Sequence, residues 1–305
     1  MRFATLTTTV LLVLVSLHTQ AQNLFYRGLL SADARECRPL YNPQTPYFQS
    51  NLVGYWNFNG ATGVITNGAT ISSGLTGGAS ATATIASSTL SLTNSSLSNL
   101  NQSVTATGTA GDIISAGTPA ALNDLTSATW MMWVKINTGT ARRFFYKSDN
   151  NGSRGYFFLI DTDNELKFVK VNATTNMQQF ACPLSSAYFA NSWHQIVVTW
   201  DGGALASGVK IYLDGTELVY GASDPRLSGT CVNQASHSGY AYHQDGVGSW
   251  NSDATYPLIL LGVPSSSSTN PNSSGFSGEM DEFAVWNRAL TSTEVAKLYR
   301  HQKCN

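Results

Sequence analysis

Hydrophobic and polar residues alternate with a period of two along most of the chain, the mark of strands with one buried face. The clearest stretch is 191–220, NSWHQIVVTWDGGALASGVKIYLDGTELVY. Ile196, Val198 and Trp200 alternate with Val197, Thr199 and Asp201, and Val209, Ile211 and Leu213 repeat the pattern after a Gly/Ala/Ser loop. Asp214-Gly215 predicts a tight turn, with Leu218-Val219 leaving it as a third short strand. Other strands are expected at Leu52–Phe58, Ala128–Ile136, Arg143–Lys147, Tyr156–Ile160, Leu166–Val171, Met177–Phe180, Leu258–Leu261 and Phe276–Trp286. Within Ala128–Ile136, Trp130, Met132 and Val134 share one face, and Met131, Trp133 and Lys135 the other. The one helical signal is Asn287–His301, with Thr291 or Ser292 as cap and Leu290, Val295 and Leu298 spaced by one or two turns. Many short strands and one terminal helix predict an all-β sandwich of two antiparallel sheets.

Composition narrows the class. Only 11% of the 305 residues are charged, well below the usual quarter, and the formal net charge is -1. No basic patch interleaves with aromatics, so nucleic acid is not an expected partner. Met1–Ala21 reads as a secretory signal: Arg2 begins it, Val10–Leu17 is its apolar core, and Thr19-Gln20-Ala21 places small residues at the cleavage site before Gln22. That apolar run is too short to span a bilayer, and no other run reaches transmembrane length. Residues 22–50 contain Pro39, Pro43 and Pro46 and read as an irregular arm, leaving 51–305 as the domain. The expected location is secreted, extracellular or cell-surface.

Cys37, Cys182, Cys231 and Cys304 are an even set in an exported chain and favour two disulfides. Of three pairings, Cys37–Cys304 with Cys182–Cys231 is preferred: the first ties the two ends of the mature chain, the second staples two long loops. The zinc alternative lacks any Cys-x-x-Cys or Cys-x-x-His pair.

Five blocks in order carry a resemblance: LVGYWNF, SATWMMWVKI, FFYKSDNNGSRGYFFLIDTDNELKFVKV, NSWHQIVVTWDGG with VKIYLDGTEL, and FSGEMDEFAVWNRALTSTEVAKLY. Together they resemble the LamG-like jelly roll domains of the concanavalin A-like lectin/glucanase superfamily, from Leu52 to about Tyr299. The resemblance implies a two-sheet antiparallel jelly roll with adjacent termini, which strengthens the Cys37–Cys304 pairing. It leaves function open, because the superfamily hosts many.

Glucanases of that superfamily use carboxylates in an E-x-D-x-E arrangement, which places all three on one face of a strand. Here Glu279-Met280-Asp281-Glu282 is followed by Phe283, so the set is incomplete and no enzymatic activity is expected. Strand parity groups Asp281 with Phe283 and Val285, and turns Glu282 the other way unless a bulge intervenes. Calcium is the cofactor the resemblance suggests, at Asp281 with Asn57 or Asn59. Asp149-Asn-Asn-Gly152 and the Asp161–Glu165 hairpin tip read as turns. Trp193-His194 reads as the start of a core strand. The long insertion 222–256 is the candidate ligand site: Tyr240, Tyr242, His243, Asp245 and Trp250 combine aromatic platforms with polar groups. The expected partner is a glycan or a glycosylated cell-surface protein. The alternatives are a protein-binding adhesion or assembly subunit, in which the same rings pack a loop or meet a protein, and a glucanase-like hydrolase.

Overall fold

The computed structural model describes residues 48, 50–59, 63–64, 70–72, 82–86, 90–94, 102–109, 112–137, 142–149, 152–160, 165–183, 192–218, 243–263 and 275–303. In chain order its strands are β1 (Leu52–Trp56), β2 (Gly63–Val64), β3 (Thr70–Ser72), β4 (Thr82–Ala86), β5 (Ser91–Asn94), β6 (Gln102–Thr107), β7 (Ile113–Ser115), β8 (Ala128–Ile136) and β9 (Arg142–Lys147). There follow β10 (Tyr156–Ile160), β11 (Glu165–Lys170), β12 (Met177–Pro183), β13 (Trp193–Trp200), β14 (Val209–Leu213), β15 (Thr216–Glu217), β16 (His243–Gln244), β17 (Ile259–Leu260) and β18 (Ser277–Trp286). A helix, α1 (Ser292–Gln302), succeeds them. They form two nine-stranded sheets with all pairings antiparallel, as expected for the jelly roll. The first runs β15-β14-β13-β8-β18-β6-β5-β2, with β1 also paired to β18. The second runs β16-β12-β11-β10-β9-β17-β7-β4-β3.

The centre of the first sheet is the pair β8 and β18. Period two in β8 puts Trp130, Met132, Val134 and Ile136 toward the second sheet, where they join Phe144, Phe145, Phe158 and Phe168 in the main core. The Trp130 ring lies 4.8 Å from Tyr156, 5.2 Å from Phe168 and 5.4 Å from Phe145. On the opposite face Met131 and Trp133 pack with Val197, Tyr212 and Trp286 beneath Leu290, Val295 and Leu298. A strand with large apolar residues on both faces needs two covers, and α1 is the second. Thr291 caps that helix through a capping box with Glu294. Hydrogen bonds from Arg288, ahead of those from Thr291, pull the Glu294 carboxyl down to about 2. The chain's start reaches the same face: the Trp286 indole donates to the Phe48 carbonyl at 2.6 Å.

Two local expectations shift. Asp214 (φ 52) and Gly215 (φ 76) both take the left-handed conformation that a type I′ hairpin turn requires. The third strand is Thr216–Glu217, Leu218 after it is buried in the core, and Val219 lies outside the described residues. The first strand stops at Trp56, because Phe58 has φ 49 and cannot continue it.

The larger correction lies in β18. Asp281 pairs with Trp133 and Ala284 with Met131, so two residues of β18 oppose one of β8, and Glu282 takes φ 53. This bulge reverses the parity. Phe283 and Val285 face the main core, whereas Glu282 lies beneath α1. There its carboxylate accepts from Tyr55 Oη at 2.7 Å and from Gln302 Nε2 at 2.8 Å. Gln302 Oε1 in turn accepts from Trp133 Nε1 (3.1 Å) and Gln195 Nε2 (2.9 Å). One glutamine thus ties the last turn of α1 to β8, β13 and β18. Gln302→Ala removes the acceptor of two buried donors, Trp133 Nε1 and Gln195 Nε2, and one of the donors to Glu282. It is expected to lower stability by about 2 kcal/mol, or Tm by about 4–8 °C, in urea and thermal unfolding.

Candidate functional site

The acidic block of β18 sits on the helix-covered face of the sheet. Glu279 is held by Lys135 Nζ at 2.9 Å and by Ser103 Oγ at 2.9 Å. Asp281 is fully buried; its Oδ1 accepts from the Glu282 amide at 2.8 Å and its Oδ2 has no hydrogen-bond partner. Burial, reinforced by the charges of Glu282 and Glu279, holds the Asp281 carboxyl well above the usual carboxylate range. The expected companions of Asp281 have other tasks. Asn57 Oδ1 accepts from the Asn59 amide at 3.3 Å, and Asn59 Oδ1 from the Gln102 amide at 3.1 Å. Of the three side chains named for calcium, Asp281 is the one that keeps a buried oxygen without a partner. One oxygen falls short of the about six to eight that calcium takes, and among the described residues no group of three or more His, Cys, Asp or Glu is placed to hold a metal ion, so the oxygen suits a proton.

The described part of the long insertion, 243–256, folds onto one rim of the sandwich. Tyr240 and Tyr242 lie outside the described residues. The backbone of His243 pairs with Gln179 in β12. Asp245 is exposed, and its Oδ1 accepts from the Ala206 amide at 2.8 Å. Trp250 is half-buried and meets Trp200 edge-on at 5.3 Å. The tight rim contacts of Trp250 favour packing for that ring. Of the four cysteines, only the backbone of Cys182, in β12, is described, so both pairings fall outside the described residues, as do most of the arm and the whole leader.

Behind this rim lies a buried ionic cluster that the sequence reading missed. Asp253 reaches Lys147 Nζ at 3.3 Å and Lys170 Nζ at 3.8 Å, with all three side chains at most 2% exposed. The Lys170 ammonium lies 5.5 Å from the Trp250 ring and 5.6 Å from each of Tyr156 and Trp200. Asp253 and Asp124 clasp each other: each carboxylate accepts the other's backbone amide, at 3.0 and 2.9 Å. Burial lowers the proton affinity of both lysines, and Asp253 partly restores it. Burial, then the Asp253 charge, pushes the Tyr156 hydroxyl well above its usual value. One signal was present in the sequence. Lys170 shares strand parity with Leu166 and Phe168, and Lys147 with Phe145, so both lysines stand on core-facing positions.

Two further groups complete the survey. His194 Nδ1 lies 2.7 Å from Asp214 Oδ2, and Asp214 Oδ1 accepts from the Gln195 amide at 2.9 Å. The pair locks the start of β13 to the β14–β15 turn. Arg143 is buried with its guanidinium 4.8 Å from the Phe157 ring and 5.0 Å from the Tyr146 ring. Its Nε and Nη1 have no hydrogen-bond partner, and burial pulls its pKa down to about 10. The Asp149 loop is a turn: Gly152 N donates to the Asp149 carbonyl and Ser153 N to Asp149 Oδ1.

Asp281 yields a signed pH prediction. Its pKa is raised on folding, so its stabilising contribution is complete below the unfolded value of about 4 and is lost as pH rises through the folded one. In metal-free buffer Asp281→Asn is therefore expected to melt above the wild-type chain at neutral pH. The gain should shrink toward pH ~4 in a series of thermal scans.

Residues 107–245 match the laminin-G-type family model described as the concanavalin A-like lectin/glucanases superfamily. A search of the curated proteins finds no match. Among solved structures the chain is similar to the binding domain of Paraclostridial Mosquitocidal Protein 1, at 14% identity and a TM-score of 0.52. That match covers 82% of this chain and 52% of the other, so this chain spans about half the length of that relative. It is also similar to domain 4 of AbnA, an extracellular GH43 arabinanase from Geobacillus stearothermophilus, seen with arabinotriose (15% identity, TM-score 0.48, 82% of this chain and 98% of that one). A third is the botulinum neurotoxin type G receptor binding domain (12% identity, TM-score 0.43, 83% and 51%). Residues 107–245 are thus similar to the concanavalin A-like lectin/glucanases superfamily, and the two-sheet fold is shared with the binding domain of Paraclostridial Mosquitocidal Protein 1.

Proposed function

We propose that the protein is a secreted, non-catalytic recognition module that binds carbohydrate or a glycosylated surface through the loops of its rim. The observation that carries this reading is that Asp281 and Glu282 are fully buried and the partly exposed Glu279 is tied to neighbouring side chains. Glu279 is committed to Lys135 and Ser103, Glu282 to Tyr55 and Gln302, and Asp281 is shut away from solvent beneath the same helix-covered face. A glycoside hydrolase needs two carboxyl groups flanking a bond that the substrate brings to them. This block offers a substrate no such access. The rim has the opposite character. The loops 201–208 and 243–252 are largely exposed, polar and rich in glycine, and they rest on the rigid Lys147–Asp253–Lys170 cluster. A likeness to a toxin's binding domain is in keeping with such use of the fold. Tyr240, Tyr242, His243 and Asp245 are the proposed contacts, with Trp250 bracing the loop from behind.

One observation favours a protein partner instead. Leu205 and Val247 are the two exposed large hydrophobics among the described residues. They come from different loops joined by a 2.7 Å hydrogen bond from Gly246 N to the Ala204 carbonyl.

A glycan array with the mature chain tests the main reading. Retention of a glycan class is expected, and Tyr242→Ala should abolish it with the thermal midpoint unchanged, whereas Trp250→Ala should lower both. Replacing Leu205 and Val247 by serine should leave glycan retention intact; if that double variant instead loses capture of a protein that carries no sugar, the adhesion reading replaces this one.

A further inference from the structure

Lys147 ends β9 with its ammonium group shut inside the rim. Its side chain is fully buried, yet its Nζ lies 2.9 Å from Oδ1 of Asn123, the residue that closes the short turn Ala120–Leu122. From other directions the backbone carbonyls of Asp253 (2.9 Å) and Tyr256 (2.6 Å) hold the same nitrogen against that side-chain amide. Asp253 Oδ1 stands 3.3 Å from Nζ, its side chain is fully buried, and its Oδ2 has no hydrogen-bond partner. A buried primary amine and a buried carboxylate thus meet a partly buried carboxamide. Held contact of this kind replaces a bimolecular encounter with an intramolecular one.

We propose that Lys147 and Asn123 are joined by an isopeptide bond between Nζ and the side-chain carbon Cγ of Asn123, with Asp253 as the proton carrier. The steps balance without any oxidant or co-reactant. The Lys147 ammonium passes a proton to Asp253, and the freed Nζ lone pair forms a bond to Asn123 Cγ. The tetrahedral centre collapses, its Cγ–Nδ2 bond breaks, and the leaving nitrogen takes the proton back from Asp253. The products are a secondary amide and one ammonia, which carries off the remaining proton as ammonium. Burial favours the first step, since it lowers the proton affinity of Lys147. The cross-link ties β9 to the turn at 120–122 and thereby fixes the base on which the rim loops rest. It requires neither a ligand nor the proposed recognition role.

The test is the intact mass of the reduced, mature chain. It should be lighter than its sequence by one ammonia, and tandem mass spectrometry of a proteolytic digest should recover a branched peptide joining Lys147 to Asn123. Asn123→Ala and Lys147→Arg should each restore the full sequence mass. Asp253→Asn, shown to be folded by circular dichroism, should retain both partners without the bond. A wild-type chain at its full sequence mass overturns the proposal without reliance on any variant. An ammonia lost elsewhere, such as by cyclisation of a terminal Gln22 with peptides 123 and 147 unlinked, overturns it equally.

Discussion

A sheet whose central strands are apolar on both faces must be covered twice, and most of this architecture answers to that constraint. β8 presents Trp130, Met132 and Val134 to one side and Met131 and Trp133 to the other. The first set is buried by the second sheet through contacts among rings. The second set is buried by one helix of 11 residues, so the fold depends on that helix being held in place. Apolar packing of Val295 and Leu298 supplies area without direction. Direction comes from Gln302 and Glu282, whose hydrogen bonds accept only one placement of the last turn.

Glu282 can serve in this way because of the bulge. A regular β18 would send Glu282 into the aromatic core and Phe283 out beneath the helix. One extra residue exchanges them, and the sheet gains an apolar inner face and a polar anchor on its outer one. The same step places Asp281 close enough to Glu282 and Glu279 for their charges to raise its pKa. What resembles an incomplete catalytic motif in sequence is in the fold an anchoring device. Glu282 and Glu279 supply the anchoring bonds, and Asp281 carries the strain of being buried beside them.

The rim is built on a different balance. Two lysines and an aspartate are buried there with aromatic rings around one ammonium, an arrangement that tolerates no missing partner. Trp250 and Asp253 belong to the long insertion, yet they contact β9, β11 and β13. The insertion is therefore part of the domain's core at its base. Its recognition role belongs to whatever projects beyond that base, and the rigidity of the cluster lets exposed loops hold a binding geometry.

The sequence by itself determined strands β1, β8–β14, β17 and β18 to within a few residues, the terminal helix with its Thr291 cap, and the core set Trp56, Trp130 and Trp200. Each follows from side-chain periodicity or capping, which are properties of neighbouring residues. It also held a clue at Lys147 and Lys170, charged residues on core-facing positions, without naming the partner that makes them tolerable. Only the tertiary structure decided the bulge that turned Glu282 outward, the second cover over β8, and the meeting of Lys147 with Asn123 and with Asp253, 106 residues away. Those outcomes rest on the free energy of contacts between residues remote in sequence. A carboxylate reads the same in a strand pattern whether it faces water, a helix or a lysine, and its chemistry is set by which of these the fold brings to it.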